Sequence, residues 1–195
     1  AHRLQRLGQS AESTATIEDN RFVTAGRLYV EVWENDSLDP VLRGNTVDAA
    51  GVRVRGIGAT LVANVVTHRA EGLLYLSIGD GLHVELTDNE FTKVGASSPT
   101  AAAVRLVYDD KEGTLAMSGN VLRDQYMPLD LSLRVTDFTA TVNDNVFDFP
   151  ITAPPQAGRF FACCESRAHL DLRGNRWGDV EDADTLLTLL ELGTS

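Results

Sequence analysis

Short segments of alternating apolar and polar residues recur along the chain, and each leads to an asparagine. The shared pattern is apolar, any, apolar, any, any, Asn, any, apolar, as in Val84, Leu86, Asn89 and Phe91. Seven of the nine asparagines in the sequence occupy this position: Asn20, Asn45, Asn64, Asn89, Asn120, Asn145 and Asn175. Alternation with a period of two is typical of a β-strand that buries one face. The sequence therefore predicts seven repeats, each with a short strand before its asparagine.

The intervals between these asparagines are 25, 19, 25, 31, 25 and 30 residues. Repeats of this length that differ by insertions are typical of a solenoid, in which each turn of the chain stacks on the one before it. A second alternating segment precedes most of the asparagines, as in Leu28, Val30 and Val32. Its inward residues elsewhere are predicted to be Val52 and Val54, Leu74, Leu76 and Ile78, Val104 and Leu106, Leu131, Leu133 and Val135, and Phe161 and Cys163. Each turn is therefore predicted to hold two strands.

The leucine-rich repeat is a second solenoid class with a similar pattern. It also places two alternating apolar residues before an asparagine, but it requires another leucine eight residues before that asparagine. The corresponding positions hold no leucine; they are Glu12, Ser37, Gly56, Gly81, Glu112, Asp137 and Arg167. The predicted second strand also stands where the leucine-rich repeat has a helix. These differences disfavour a leucine-rich repeat.

The seven asparagine motifs resemble those of the right-handed parallel β-helix in the pectin-lyase-like superfamily. In that family an asparagine ladder fills the tight turn after the second strand of each coil, and each side-chain amide bonds to those above and below. The resemblance covers nearly the whole chain and implies an all-β fold, a single right-handed parallel β-helix of about seven coils. An Asn amide suits such a turn because it supplies both donors and an acceptor to buried backbone groups.

The β-helix is expected over residues 1–180, followed by a capping segment over residues 181–195. Acidic residues precede a leucine-rich stretch there, which is typical of a short helix. The leucines are Leu186, Leu187, Leu189, Leu190 and Leu192. We expect this helix to cover the open strand edges of the last coil. The N-terminus shows no comparable cap, so further coils, another domain or a partner subunit are expected to precede or cover it.

The chain has 195 residues, of which 43% are hydrophobic, and a formal charge of −11 from 17 basic and 28 acidic residues. This composition is typical of one globular domain. The excess of negative charge disfavours nucleic acid and anionic membranes as partners. No segment approaches the roughly 20 apolar residues that span a bilayer. Cys163 and Cys164 are adjacent and cannot join distant segments, and no metal site is expected.

Aspartates recur in the corners between the two predicted strands of consecutive repeats. They are Asp80, Asp109, Asp110 and Asp137, eight to eleven residues before their asparagines. Stacked together, they could act as an acid–base pair on a glycosidic bond or bind Ca²⁺, with Arg105 and Arg134 holding an anionic sugar. Aspartate is also an ordinary residue of exposed turns. Because the longer catalytic motifs of sugar-cleaving enzymes are not recognisable, we favour a protein without catalytic activity.

The polar positions of the segment farther from the asparagine predict an outward surface of arginine and aromatic residues. Its members are Tyr29, Trp33, Arg53, Arg55, Tyr75, Arg105 and Arg134. Aromatic rings stack on sugars, and arginine bonds hydroxyl or uronate groups. Tyrosine, tryptophan and arginine are also enriched at the centres of protein interfaces. The surface therefore suits either carbohydrate or a protein partner.

Fold alone does not decide function, because the family that the chain resembles includes polysaccharide lyases, glycoside hydrolases, esterases, phage tailspikes and catalytically silent scaffolds. The leading hypothesis is a non-catalytic β-helix module or scaffold that presents this surface to carbohydrate or partner subunits. It would belong to a larger extracellular, cell-surface or virion-like assembly. The alternative is a polysaccharide lyase or glycoside hydrolase that uses the corner aspartates, and only this alternative would involve Ca²⁺; no other cofactor is expected. A structural trimeric spike component is the third hypothesis, and it would be a homo-oligomer.

Overall fold

A computed structural model describes residues 15–31, 39–77, 82–95, 101–109, 112–134, 137–149, 158–162 and 167–194. These residues form short strands and one short helix. The first strands are β1 (Ala15–Glu18), β2 (Arg21–Val23), β3 (Arg27–Glu31), β4 (Pro40–Arg43), β5 (Thr46–Ala49), β6 (Gly51–Gly56), β7 (Ala59–Val62), β8 (Val65–His68), β9 (Leu73–Ser77), β10 (Leu82–Thr87) and β11 (Glu90–Lys93). The others are β12 (Ala102–Asp109), β13 (Glu112–Ser118), β14 (Val121–Arg123), β15 (Met127–Arg134), β16 (Asp137–Asn143), β17 (Val146–Phe147), β18 (Gly158–Ala162), β19 (Arg167–Asp171), β20 (Arg176–Trp177), α1 (Ala183–Leu189) and β21 (Leu190–Thr194).

The chain visits three parallel sheets in turn and returns to each after three strands. The first sheet, whose strands lead to the asparagines, has the order β1-β4-β7-β10-β13-β16-β19. The second sheet follows the asparagines in the order β2-β5-β8-β11-β14-β17-β20, and the third has the order β21-β18-β15-β12-β9-β6-β3. Neighbouring strands in each sheet pair in parallel. The expectation of an all-β, solenoid-like stack of parallel strands is confirmed at this level.

Each repeat holds three strands, so the prediction of two was incomplete. The strands of the second sheet are short; β17 and β20 have two residues each. From β5 onward the first inward residue after the asparagine is apolar and buried, as Phe91 is in β11, and β5 buries Ala49 as well. A strand this short carries no periodic signal of its own, because it is stabilised by pairing with the repeats on either side.

The core lies between the three sheets, and the apolar positions of the asparagine motif line it. In the first sheet, Leu42, Leu61, Leu86, Met117 and Val142 occupy one inward register row and are all at most 2% exposed. In the second sheet the buried row is Val47, Val66, Phe91, Leu122, Phe147 and Trp177. These rows confirm the predicted inward face of the asparagine motif.

In β9 the predicted inward and outward faces are exchanged. Leu73 and Tyr75 are buried, whereas Leu74 and Leu76 are half-buried on the outer side. Tyr75 pairs in register with buried Val54 and donates its hydroxyl proton to the carbonyl of Gly56 at 2.8 Å. The prediction that Tyr75 lies on the outward surface is therefore wrong.

A similar one-residue difference occurs in β18. Phe160 pairs in register with the buried Leu131 and is itself 5% exposed, so it holds the inward position predicted for Phe161. Cys163, also predicted to point inward, lies outside the described residues.

The asparagine ladder runs through all seven repeats. The Nδ2 of Asn64, for example, donates to Oδ1 of Asn89 at 2.9 Å, and the same oxygen accepts from the backbone N–H of Asn64 at 3.0 Å. The second amide proton reaches a strand carbonyl of the preceding repeat, Leu42 O, at 2.8 Å. Five rungs are at most 2% exposed: Asn45, Asn64, Asn89, Asn120 and Asn145. The predicted stacked hydrogen bonds are confirmed from Asn20 to Asn175.

The residue before each ladder asparagine adopts a left-handed backbone conformation, which the sequence reasoning missed. These residues have φ between 53° and 73°; they are Asp19, Gly44, Ala63, Asp88, Gly119, Asp144 and Gly174. Glycine and aspartate tolerate this region best. In three places the carboxylate of an aspartate contacts the glycine of the next repeat. A Cβ on Gly44, Gly119 or Gly174 would collide with this carboxylate.

We expect Gly119→Ala to destabilise the protein by about 2 kcal/mol, because alanine is strained at positive φ and its Cβ would displace the Asp88 carboxylate. Gly95→Ala is the matched control, since Gly95 has φ +85° and open space around it. This variant should lose about 1 kcal/mol of stability, which is the cost of placing alanine at a positive φ without a steric clash. Urea unfolding of both variants measures the difference. Equal losses would mean that the contact with Asp88 contributes nothing.

The C-terminal segment combines the expected helix with one further strand. Asp182 caps α1 by accepting a hydrogen bond from the Thr185 backbone N–H at 2.7 Å. The Thr185 side chain, followed by this backbone N–H, lowers the pKa of the Asp182 carboxyl by hydrogen bonding. Leu186 and Leu189 pack against the core, while Leu187 is exposed. The helix prediction is wrong for the last part, Leu190–Thr194, which pairs with β18 as an outer strand of the third sheet.

Candidate binding surface on the third sheet

Two register rows of the third sheet point away from the core and define what we call the third-sheet face. The first row is Tyr29, Arg53, Leu74, Arg105, Asp130 and Arg159. The second row is Glu31, Arg55, Leu76, Val107 and Ser132. The sequence predicted Tyr29, Arg53, Arg55 and Arg105 on this surface, and the structure brings these four together there.

One end of the third-sheet face is an ion-pair network around a buried carboxylate. Arg159 donates to both oxygens of Asp130, at 3.1 and 2.6 Å, and Arg105 Nε lies 3.3 Å from one of them. Arg105 also bonds Glu71, which in turn bonds Arg27, each at 2.9 Å. The side chain of Asp130 has no exposed surface, so its charge depends on the two guanidinium groups for compensation. Arg105 and Arg159 are thereby fixed in place and partly neutralised.

The other end of the third-sheet face has arginines without such partners. No carboxylate among the described residues lies within ion-pair distance of Arg53 or Arg55, even though Glu31 adjoins Arg55 in register. The Arg53 guanidinium carbon is 5.9 Å from the centre of the Tyr29 ring, a distance that permits a cation–π contact. Its Nε is buried and has no hydrogen-bond partner within the described part of the chain. Among the described residues, neither guanidinium group is held by a carboxylate, so both could bind an external anion.

Three apolar side chains separate the two ends. Leu74, Leu76 and Val107 are half-buried, and they lie on the opposite side of the sheet from the buried core residues Tyr75 and Leu106. Sequence reasoning missed the two leucines here because it assigned them to the core. They give the centre of the third-sheet face an apolar character.

The corner aspartates are not collected into one register row. Asp80 and Asp110 lie outside the described residues. Asp109 ends β12 in the third sheet, in register with Arg134. Asp137 begins β16 in the first sheet, where its register neighbours are Glu112 and Arg167. The catalytic role of these aspartates stays a prediction.

The remaining two members of the predicted outward surface are Trp33 and Arg134. Trp33 lies outside the described residues. Arg134 is described through its backbone pairing with Asp109.

A buried polar cluster lies between the last strands of the second sheet's repeats and the third sheet, around His68, Lys93 and Gln125. Nδ1 of His68 bonds the carbonyl of Ala70 at 2.7 Å, and Nε2 lies 2.9 Å from the amide nitrogen of Gln125. Lys93 donates to the carbonyl of Arg69 at 2.6 Å. Burial, with a smaller contribution from the charge of Lys93, lowers the pKa of His68 to about 4. Burial also lowers the pKa of Lys93.

The signal for this cluster is present in the sequence. His68 and Lys93 each stand two residues after a buried residue of the asparagine motif, Val66 and Phe91 respectively. Period-two alternation therefore directs both side chains inward. With Nδ1 donating to Ala70 and Nε2 accepting from Gln125, the imidazole is neutral.

The described residues contain no group of three or more His, Cys, Asp or Glu side chains placed to hold a metal ion. The helix in this part of the chain, α1, has seven residues, and none there is long and apolar enough to cross a membrane.

The fold and this surface define a protein with three stacked parallel sheets, a buried row of asparagines and an outer face of mixed arginine, leucine and tyrosine. No protein-family model matches the chain, and neither a curated protein nor a solved structure was found to match it.

Proposed function

We propose that the chain is a right-handed parallel β-helix of about seven coils, built like members of the pectin-lyase-like superfamily. Support comes from the strict alternation among three parallel sheets, with seven strands in each within the described residues. The continuous asparagine ladder, placed where that family has its tight turn, adds to it. Variable segments between strands account for the unequal spacing of the repeats.

The proposed function is recognition without catalysis: a rigid module that presents the third-sheet face to carbohydrate or to a partner subunit within a larger assembly. One observation carries this proposal. Arg53 and Arg55 stand on the outer side of the third sheet beside Tyr29, with no carboxylate partner among the described residues. A guanidinium that is not used internally offers charge-assisted hydrogen bonds to a carboxylate or sulfate. A rigid sheet also holds these donors in place before a ligand arrives, which reduces the entropy lost on binding.

A polysaccharide lyase or glycoside hydrolase is the second candidate, and one observation favours it. Asp137 and Glu112 are exposed at the same register position of neighbouring strands, which are about 4.8 Å apart. The carboxyl groups of a retaining glycosidase are separated by about 5 Å.

A binding assay with anionic polymers tests the proposed function. Immobilised protein is exposed to polygalacturonate, alginate, hyaluronate and polyglutamate, and we expect at least one to bind. The double variant Arg53→Ala, Arg55→Ala should weaken binding by roughly tenfold or more, because each lost charge-assisted hydrogen bond contributes more than 1 kcal/mol. Arg123→Ala is the matched control, since Arg123 lies on the second sheet and is already paired with Glu90 and Asp148.

The same samples report on catalysis through the absorbance of unsaturated products and through new reducing ends. We expect no turnover. Product formation that Asp137→Asn abolishes would replace the recognition module with the enzyme. Absence of binding to every polymer, or binding that the arginine variant leaves unchanged, would show that the third-sheet face is not a recognition surface for anions.

A further inference from the structure

We propose that the third-sheet face docks a protein partner whose surface combines carboxylates with apolar side chains, rather than a carbohydrate. This inference rests on the proposed recognition function and specifies its ligand. It depends on the observation that β9 turns Leu74 and Leu76 outward, next to Arg53 and Arg55 of β6, which have no carboxylate partner among the described residues.

The centre of the third-sheet face is apolar, which favours a protein partner over a carbohydrate. Leu74, Leu76 and Val107 adjoin one another on β9 and β12, because Val107 pairs in register with Leu76. Side chains that are half-buried on an outer face gain free energy when a partner removes the rest of their surface from water. A polymer of sugar rings brings hydroxyl groups to such a strip, and each would have to leave water without a hydrogen bond in return.

The third-sheet face has few exposed aromatic rings, which disfavours binding of sugars by stacking. Sugar binding by stacking needs exposed rings, and the buried Tyr75 removes one of those that the sequence predicted. Tyr29 is the one aromatic ring among the side chains that the structure describes on this face. Tyrosine and arginine together with neighbouring apolar side chains are instead the composition of a protein interface centre.

The positive charge of Arg53 and Arg55 is complementary to carboxylates on a protein partner. Arg53 and Arg55 are two residues apart on one strand, so their Cα atoms are separated by roughly 7 Å. Their neighbours Arg105 and Arg159 are already paired with Glu71 and Asp130, respectively. The positive charge that remains available therefore sits beside the apolar strip, and it fits carboxylates that flank apolar side chains on a partner.

Three polymers separate the possible ligands. The probes are a random copolymer of glutamate and tyrosine, polyglutamate of matched charge, and polygalacturonate, each measured by biolayer interferometry against the folded chain. We expect the copolymer to bind at least tenfold tighter than either of the others. The double variant Leu74→Thr, Leu76→Thr should remove most of this preference while leaving the affinity for polyglutamate within twofold.

Leu187→Thr is the control, because Leu187 is the exposed leucine of α1, which leads into β21, and three strands of the third sheet separate β21 from β9. It should leave all three affinities unchanged. Threonine keeps a high strand propensity. Val107→Thr, which is nearly isosteric, is a second probe of the apolar strip should the double variant fail to fold.

Tighter binding of polygalacturonate than of the copolymer would overturn the protein-partner inference but leave the recognition function in place, provided that Arg53→Ala, Arg55→Ala still weakens it. A copolymer preference that survives both the leucine and the valine substitutions would also overturn it. If the arginine variant changes no affinity, the recognition function itself fails.

Discussion

Replacing Asn89 by alanine should destabilise the protein by about 3 kcal/mol or more, although it removes only one small side chain. Asn89 Oδ1 accepts from both the backbone N–H and the side-chain amide of Asn64. Its own amide donates to Asn120 and to the carbonyls of Leu61 and Thr87. The substitution leaves several buried polar groups unpaired, and each costs about 1–3 kcal/mol. Urea unfolding followed by circular dichroism measures the loss.

Asn20→Ala is the matched control because it makes the same change at the exposed first rung. Asn20 donates to Glu18 O and weakly to Asn45, and its own side chain is exposed to water. We expect a loss below about 1 kcal/mol, since exposed groups can bond to solvent instead. A loss at Asn89 no larger than that at Asn20 would show that the ladder contributes little to stability.

Stability should decrease as the pH falls from about 6.5 to about 4, and His68 should account for up to about 3 kcal/mol of that decrease. The unfolded chain binds a proton at His68 below about pH 6.5, whereas the folded protein does not until about pH 4. The unfolded state is therefore favoured as protons become available within this window. Above about pH 6.5 neither state binds a proton at His68, so the free energy of unfolding is no longer reduced by protonation of His68.

The substitution His68→Gln tests this assignment by removing the titrating group while keeping a side chain that can bond. Unfolding free energies at pH 7 and pH 4.5 should differ less in the variant than in the native protein, and carboxyl titration cancels in the comparison. His83→Gln is the control, because His83 is exposed and bonds the Thr114 hydroxyl at 2.7 Å. The assignment to His68 is wrong if its variant retains the full pH dependence of the native protein.

The stacked asparagines could be predicted from the sequence because two independent signals agree on them. Each ladder asparagine has a fixed relation to the alternating residues before it, and the intervals between them fall in the range of a solenoid repeat. Insertions in the variable segments change the spacing without changing the motif. The parallel stacking that the structure shows follows from these two facts.

Strand orientation in β9 could not be predicted, since all four residues of Leu73, Leu74, Tyr75 and Leu76 are apolar. Period-two alternation selects a face only where apolar and polar residues differ. The pairing of Leu73 with Val52 and Val104 decides which residues enter the core, and that information lies in other repeats.

The third-sheet face also combines features that could be predicted from the local sequence with features that could not. Arg53 and Arg55 alternate with buried Val52 and Val54, so their outward placement was visible locally. The involvement of Glu71 was not, because it lies between strands and pairs with Arg105, 34 residues away. Interactions of this kind depend on how the repeats stack rather than on any local pattern. The sequence could therefore suggest which arginines are outside but not which of them are free.

The asparagine ladder has an electrostatic direction. Every side-chain carbonyl from Asn45 to Asn175 accepts from the preceding rung, so these oxygens all face the N-terminal end of the stack. Aligned amide dipoles add, as they do in a helix, and neighbouring hydrogen bonds polarise one another. The positive end of this dipole lies at the last repeat, where the exposed acidic residues Asp179, Glu181 and Asp182 follow. The row of amides that aligns the repeats thus also gives the two ends of the stack opposite electrostatic character.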